Sequence, residues 1–387
     1  MDDAAEPTTI RVMVFNIEDG GTGVDFAKVV EAIRLADPDI VGLEEAMGNT
    51  ARVAAALNWG FASARTHVLS RHPVVEPPNA DGVYEYVEIQ PGRIVAVANV
   101  HLPAEPYGPA LLAMGGSPAE VDDLERRVRL PGLQPALTAL RALAAAGAPV
   151  FLLGDFNAPL DLDLPVCQAI QAAGFRDTWR EVHPDPLAEP GLTWPAARPA
   201  IGSDDPVAGA REDRIDAIYA AGPSTTLDSR IVGEAGGPDV AIAVHPWPSD
   251  HRAVVATFRV RPAPMPLLVA IDRRQVPDPG ARVQLQTSRP SYRVGEPIEV
   301  AWTAGPGNRW DWVAVFRAGD EGSDRHLIWV HTGTRISGSL RLDASSAVVD
   351  QSPIGGRWPL PPGDYEVAYL LDDSSERVAQ AGFTIAP

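Results

Sequence analysis

The chain reads as an α+β protein in two parts. Residues 1–262 mix strands and helices, and residues 263–387 are all β. Three observations lead there. The chain opens strand, helix, strand. The apolar run Val150-Phe151-Leu152-Leu153 has the length and composition of a fully buried strand. Beyond Val260 no helical period recurs, and short β-prone runs follow one another between turn residues. With 387 residues, 45% of them hydrophobic, the chain suits about two domains with cores of their own.

Residues 10–15 alternate, are rich in β-branched side chains and end at Asn16, a strand. Asp19-Gly20-Gly21-Thr22-Gly23 reads as a loop. Asp25 suits a helix N-cap, and Phe26, Val29, Val30 and Ile33 recur at helical spacing until Asp37-Pro38-Asp39 stops them. Residues 40–43 form a second buried strand that delivers Glu44 and Glu45. In sheets with helical crossovers, ligands gather at such strand ends. Residues 49–57 read as a short helix, and residues 67–75 as a strand interrupted by Pro73. Residues 83–89 and 94–100 alternate across Pro91-Gly92, a hairpin ending at His101. Residues 103–131 hold many Pro and Gly and a charged stretch at 120–129. They read as a long connection of the kind that forms lids or substrate walls. An Ala/Leu-rich helix at 133–146 leads into the buried strand. A helix at 164–173, a loop-rich section from 177 to 213, a strand at 214–220 with Asp216 inside it, irregular chain at 244–248 and a strand at 253–258 follow.

Arg261-Pro262-Ala263-Pro264-Met265-Pro266 is a stiff linker. Beyond it, β-like runs at 267–271, 283–286, 297–302, 312–316, 327–330, 337–342, 365–371 and 381–385 imply an antiparallel sandwich. The tryptophans of this part, Trp302, Trp310, Trp312, Trp329 and Trp358, read as core more than as a ligand platform.

Composition narrows the function. No run of about eighteen apolar residues exists, so no transmembrane segment is expected. The acidic start, Met1-Asp2-Asp3-Ala4-Ala5-Glu6, lacks the hydrophobic stretch of a signal peptide, and a soluble protein, secreted or cytoplasmic, is expected. Cys167 stands alone, so no internal disulfide forms, and it reads as packing. The net charge is −19, concentrated in residues 1–262, which carry 36 acidic against 20 basic residues; the remainder carries 15 against 12. That argues against a strong nucleic-acid surface, which needs clustered Lys and Arg. A small phosphate ester bound through a metal stays open, as does the oligomeric state.

The polar residues at strand ends carry the chemistry. Asp155 and Asn157 follow the buried strand two apart, so an extended chain points both the same way. A carboxylate there accepts a proton or holds a hard metal ion, and an amide donates to a substrate oxygen. Gly154-Asp155-Phe156-Asn157 alone favours a turn, and the rest of the chain reverses that reading. Asp216, among apolar neighbours, needs a partner, and a histidine is the natural one. With Asn16, Glu44, His101, Asp250 and His251, these residues sit on separate strand ends, and each alone has a structural explanation. Together they describe a site.

Val14-Phe15-Asn16-Ile17, Leu43-Glu44-Glu45, Leu69-Ser70-Arg71-His72-Pro73, Asn99-Val100-His101-Leu102, Gly154-Asp155-Phe156-Asn157, Arg214-Ile215-Asp216 and Ser249-Asp250-His251 occur in this order over about 260 residues. The ordered set resembles the exonuclease–endonuclease–phosphatase superfamily of metal-dependent phosphohydrolases. The resemblance implies a four-layer α/β/β/α sandwich of the deoxyribonuclease I type. It implies a divalent cofactor, Mg²⁺ first, with Mn²⁺ or Ca²⁺ as alternatives. Motif position makes Glu45 the metal ligand, the strand-end argument keeps Glu44 as the second candidate, and Asn16 and Asp250 lie near the ion. Asp155 is implied to orient or deprotonate the attacking water, and Asn157 to hold a phosphate oxygen. His251, kept in its tautomer by Asp216, is implied to contact the phosphoryl group, with His101 on the other side. Ser70-Arg71 reads as mainly structural, with Arg71 a candidate substrate contact. Leu-Glu-Glu stands where Leu-Gln-Glu is commoner, and residues 57–69 are short for the family. In the C-terminal part, Tyr292, Gly295, Glu296, Ile298, residues 311–316 and residues 363–366 resemble SKICH-like immunoglobulin-type domains. The function implied is a phosphodiesterase or phosphatase on a small or lipid-linked ester. A nuclease of the same fold, and a non-catalytic binding protein working through its β-sandwich, are the competing readings.

Overall fold

The computed structural model describes residues 6–77, 80–197, 212–266, 282–308, 310–320, 325–332, 335–343, 348–349, 358–371 and 376–387. The chain divides into two compact units, Met1–Val269 and Ala270–Pro387.

In chain order the first unit contains β1 (Thr8–Asn16), α1 (Glu18–Gly21), α2 (Phe26–Ala36), β2 (Ile40–Glu44), α3 (Thr50–Leu57), β3 (Phe61–Ser63), β4 (Val68–Ser70), β5 (Val74–Val75), β6 (Glu85–Gln90) and β7 (Arg93–His101). It continues with α4 (Gly108–Ala113), α5 (Pro118–Val128), α6 (Leu130–Ala145), β8 (Val150–Asp155), α7 (Pro165–Ala172), β9 (Arg176–Asp177), α8 (Thr178–Val182), β10 (Asp216–Ala221), β11 (Ser224–Gly233), β12 (Val240–Ala243), β13 (Ala253–Val260) and β14 (Ala263–Pro264). One sheet runs β12-β11-β13-β1-β2-β4-β3 and the other β5-β6-β7-β8-β10-β9, with β14 also on β7.

The period of two along β1 builds the layers. Met13 and Phe15 pack with Val29, Ile33 and Val53 of α2 and α3. Ile10, Val12 and Val14 face the other way and pack with Val95, Val97, Phe151, Leu153 and Ile218 of the second sheet. Leu133, Ala136, Leu137 and Leu140 bury one stripe of α6, which packs on β7 and β8. Helix, sheet, sheet, helix is therefore the order of layers, the four-layer fold that the motifs imply.

Several expectations are corrected. Residues 103–131 are not one loop. Ser117 caps α5 through a capping box with Glu120, Pro118 opens the helix, and α6 begins at Leu130, three residues before the apolar spacing suggests. Residues 18–21 form a left-handed turn, with φ of 48°, 47°, 69° and 71°. Asp216 is the first residue of β10, not an interior one. β11 and β12 stand where no strand was expected. The first half of β11, Ser224-Thr225-Thr226-Leu227-Asp228, is largely polar and buries no side chain fully, so only its pairing with β13 reveals it. The linker is partly structured, because Ala263 and Pro264 pair with Ile94 and Arg93 of β7.

The second unit is β-rich: β15 (Gln284–Thr287), β16 (Ser291–Arg293), β17 (Ile298–Thr303), β18 (Trp312–Arg317), β19 (Ile328–His331), β20 (Gly338–Leu342), β21 (Val348–Val349), β22 (Gly363–Leu370) and β23 (Arg377–Ala386). Sheets β15-β17-β20 and β16-β23-β22-β18-β19-β21 share a core of Tyr292, Val300, Trp302, Val315, Val367 and Tyr369. The sandwich is not wholly antiparallel, since β16 pairs parallel to β23. Trp302, Trp310 and Trp312 are buried and Trp358 packs against the core. The run expected at 267–271 lies outside the described residues.

Candidate functional site

Register brings the polar strand ends together. β1 and β2 run parallel, with Asn16 opposite Glu44. In the second sheet His101 of β7 stands opposite Asp155 of β8, and Asp155 opposite Asp216 of β10. Asn16 closes the gap between sheets: its Nδ2 donates to Asp155 Oδ2 at 3.1 Å and to Glu45 Oε1 at 3.1 Å. Ser249-Asp250-His251 precedes β13, which pairs antiparallel with β1 and so returns to Asn16. Ser249 Oγ donates to the Asn16 carbonyl at 2.7 Å and accepts the His251 N–H at 3.0 Å.

His251 is the hub. Its Nδ1 meets Asp216 Oδ2 at 3.0 Å, and its Nε2 lies 3.7 Å from Asp155 Oδ2 and 3.8 Å from Asp250 Oδ1. His101 Nε2 approaches Asp155 Oδ2 from the other side, at 3.7 Å. Asn157 is left-handed (φ 48°); its N–H donates to Asp155 Oδ1 at 2.8 Å and its Nδ2 to the Leu102 carbonyl at 2.9 Å. Gly-Asp-x-Asn therefore forms a turn, and the same turn sets Asp155 and Asn157 among the converging strand ends.

The two glutamates part company. Glu44 is buried, and neither of its carboxylate oxygens has a hydrogen-bond partner. Glu45 is left-handed (φ 51°) and partly exposed, and its carboxylate accepts from Asn16 and, at 3.4 Å, from the Asp19 N–H. Arg71 is not brought to the site, which corrects its candidacy. Ser70 pairs with Ile40, at the end of β2 opposite Glu44, and Arg71 is ion-paired with Asp37.

Four residues escaped the sequence reading. Glu18 donates its N–H to Asn16 Oδ1 at 3.1 Å, which turns the Asn16 Nδ2 inward, and its Oε2 accepts the Asp250 N–H at 3.0 Å. Thr193 accepts the N–H groups of Ile215 and Asp216. Trp194 donates Nε1 to Asp250 Oδ2 at 3.2 Å, and Tyr107 packs edge-on against Trp194 at 6.0 Å. For Glu18 the available signal was its place two after Asn16. The others lie in segments without periodicity.

The electrostatics follow from burial and crowded charge. Burial, then Asp216, pushes the Asp155 carboxyl up to about 6, against the lowering pull of His251 and His101. Burial acts to lower the His251 imidazole, but Asp216, Asp155 and Asp250 outweigh it and hold it well above the usual histidine range. Burial and Asp216 likewise raise Glu44 well above a normal carboxyl. The donor set fits a hard cation. Ligand atoms of Asp155, Asp216 and His251 lie within 4.8 Å of one another, and Asp250 Oδ1 is buried without a hydrogen-bond partner.

Two sheets packed face to face, with carboxylates, an amide and a carboxylate-bound histidine converging at one end, give the fold of the deoxyribonuclease I-like class. The chain belongs to the Endonuclease/Exonuclease/phosphatase family, whose model matches residues 13–251. Family members hydrolyse phosphate esters. An uncharacterized Caenorhabditis elegans protein is 24% identical over 293 residues, 64% of this chain and 91% of that one. Among solved structures, an endonuclease/exonuclease/phosphatase from Beutenbergia cavernae is 18% identical, with 97% of this chain and 99% of that one covered at a TM-score of 0.40. The human Nocturnin catalytic domain with bound sulfate is 17% identical, with 66% and 95% covered and a TM-score of 0.41. Among the described residues no helix is long and apolar enough to cross a membrane.

Proposed function

We propose that the chain is a divalent-metal-dependent hydrolase of a small-molecule or lipid-linked phosphate ester, with Mg²⁺ as the ion. The observation that carries this is Asn16, whose one amide nitrogen touches Glu45 and Asp155 from different sheets. Glu45, on the accessible side of the site, would hold the ion together with Asp250, and Asn16 Nδ2 would orient the Glu45 carboxylate toward it. Glu44 lies buried beside Asp155 and Asp216, where burial favours its neutral form. When bound, the ion neutralises phosphate charge and helps to activate water.

This chain's own groups do the rest. Asp155, flanked by two imidazoles, orients the attacking water and takes its proton. Asp216 accepts from His251 Nδ1, which leaves Nε2 to meet the phosphoryl oxygen where charge builds. His101 contacts the phosphate from the β7 side, and the second N–H of the Asn157 amide holds a phosphate oxygen.

The test is hydrolysis of bis-p-nitrophenyl phosphate and p-nitrophenyl phosphate by purified protein, with EDTA and with added Mg²⁺. The diester is cleaved in Mg²⁺, chelation abolishes cleavage, and Asp155→Asn lowers turnover by about 10²–10⁴-fold. Equal turnover in Asp155→Asn, or turnover indifferent to chelation, refutes the assignment.

A further inference from the structure

We propose that Thr193 is a positioning residue for the His251–Asp216 pair, a role that rests on the hydrolytic reading above. The two members of the pair belong to different sheets. Asp216 opens β10 in one, and His251 precedes β13 in the other. Their 3.0 Å hydrogen bond therefore spans the sandwich, and each end has to be placed independently. Side chains that act on a reacting group lose much of their effect when misplaced by about 1 Å.

Residues 192–196 are bound to both ends. The Thr193 side chain is fully buried, and its Oγ1 accepts the backbone N–H of Ile215 and of Asp216, each at 3.0 Å. A hydroxyl oxygen has two lone pairs, so one atom satisfies both donors at the point where β10 begins. The Ile215 carbonyl is held by the N–H of Phe156 at 2.9 Å, so this turn of chain is fixed from two directions. Towards the histidine, the Thr193 carbonyl accepts the Arg252 N–H at 2.7 Å, and the Arg252 guanidinium donates to the Leu192 carbonyl at 3.0 Å. Ala196 N–H donates to the Asp250 carbonyl at 2.6 Å, and Trp194 Nε1 to its carboxylate. The strap thus ties the residue before Asp216 to the residues on either side of His251, and Thr193 is where the two connections meet.

Thr193→Val keeps the shape and removes the acceptor, leaving two buried N–H groups unpaired. Thr193→Ala removes the acceptor without filling the space. Thr193→Ser restores it. The experiment uses the full chain labelled with ¹⁵N-histidine. The His251 Nδ1–H resonance is assigned by its loss in His251→Asn and read beside kcat and KM for the diester. Thr193→Ser is expected to keep the resonance and most of the turnover. The Val and Ala variants are expected to move or lose the resonance and to lower kcat by about 10–100-fold, with KM within about twofold. One folded variant of the two suffices. Folded variants with the resonance unmoved and kcat intact overturn the proposal, as does failure of both to fold, which makes Thr193 structural. A wild-type protein silent on every ester defeats the hydrolytic reading instead, and the resonance still reports whether Thr193 places His251.

Discussion

Asp216 shows what a single buried carboxylate demands. It opens β10, beside Asp155 of β8 and almost inaccessible, and its stability there depends on His251. Removing the imidazole leaves that charge unpaired, so His251→Ala should lose turnover and also about 3 kcal/mol of stability, read from the urea midpoint. Glu85 is the contrasting case, away from the chemistry. It is fully buried, its Oε1 accepts from Thr66 Oγ1 at 3.1 Å, and burial pushes it up to about 7. Its folded pKa is raised, so its contribution to stability is complete below the ordinary carboxyl value and is lost as pH rises through about 7. Glu85→Gln should therefore gain on wild type between pH 4.5 and 7, by on the order of 2–3 kcal/mol at the upper end. Thermal melts across that range check it, and parallel curves for the two proteins would contradict it. Residue identities were legible in the sequence wherever a polar side chain ended an apolar run, as at Asn16, Glu44, His101 and Asp155. They were illegible at Glu18, Thr193 and Trp194, whose partners are backbone groups and side chains far along the chain.

Among elements, the pairing of β7 with β8 matters most, because it sets His101 beside Asp155. Gly154 makes that pairing possible. A Cβ there would lie 2.0 Å from the Val100 carbonyl oxygen, on the partner strand. Gly154→Ala should push the strands apart, costing about 3 kcal/mol and separating His101 from Asp155. A urea midpoint and kcat near wild type would show that the strands absorb the methyl group. Elements with a strong local signal were read correctly: α2 buries a clear stripe, and β1, β2 and β8 are apolar runs buried on both faces over most of their length. The elements missed are those whose order comes from elsewhere. α5 rests on a capping box in a polar stretch, and β11 on a neighbour nearly thirty residues later in the chain.

The chain divides after the two sheets of the first unit close, and the division is not at the prolines themselves. β14 extends the first unit past residue 262 by pairing on β7. A fragment of residues 1–269 should keep diester hydrolysis and should melt higher than a fragment of residues 1–262, which loses that pairing. Equal melting of the two fragments would show that β14 contributes nothing. The acidity of the first unit sets a second expectation at this scale. Binding to duplex DNA should be weak and should vanish at physiological salt, because few phosphates meet a basic group. Salt-resistant binding in a gel-shift titration would contradict it.

By itself the sequence determined the two-part organisation, the main buried strands and the family, because these rest on local period, apolar runs and motif order. Only the tertiary structure decided which of Glu44 and Glu45 faces the accessible side, that Arg71 lies at the far end of its sheet, and that residues 192–196 span the Asp216–His251 pair. Those questions turn on register and on which sheet each strand joins. Register depends on contacts between residues tens to hundreds of positions apart, and no window along one chain contains them.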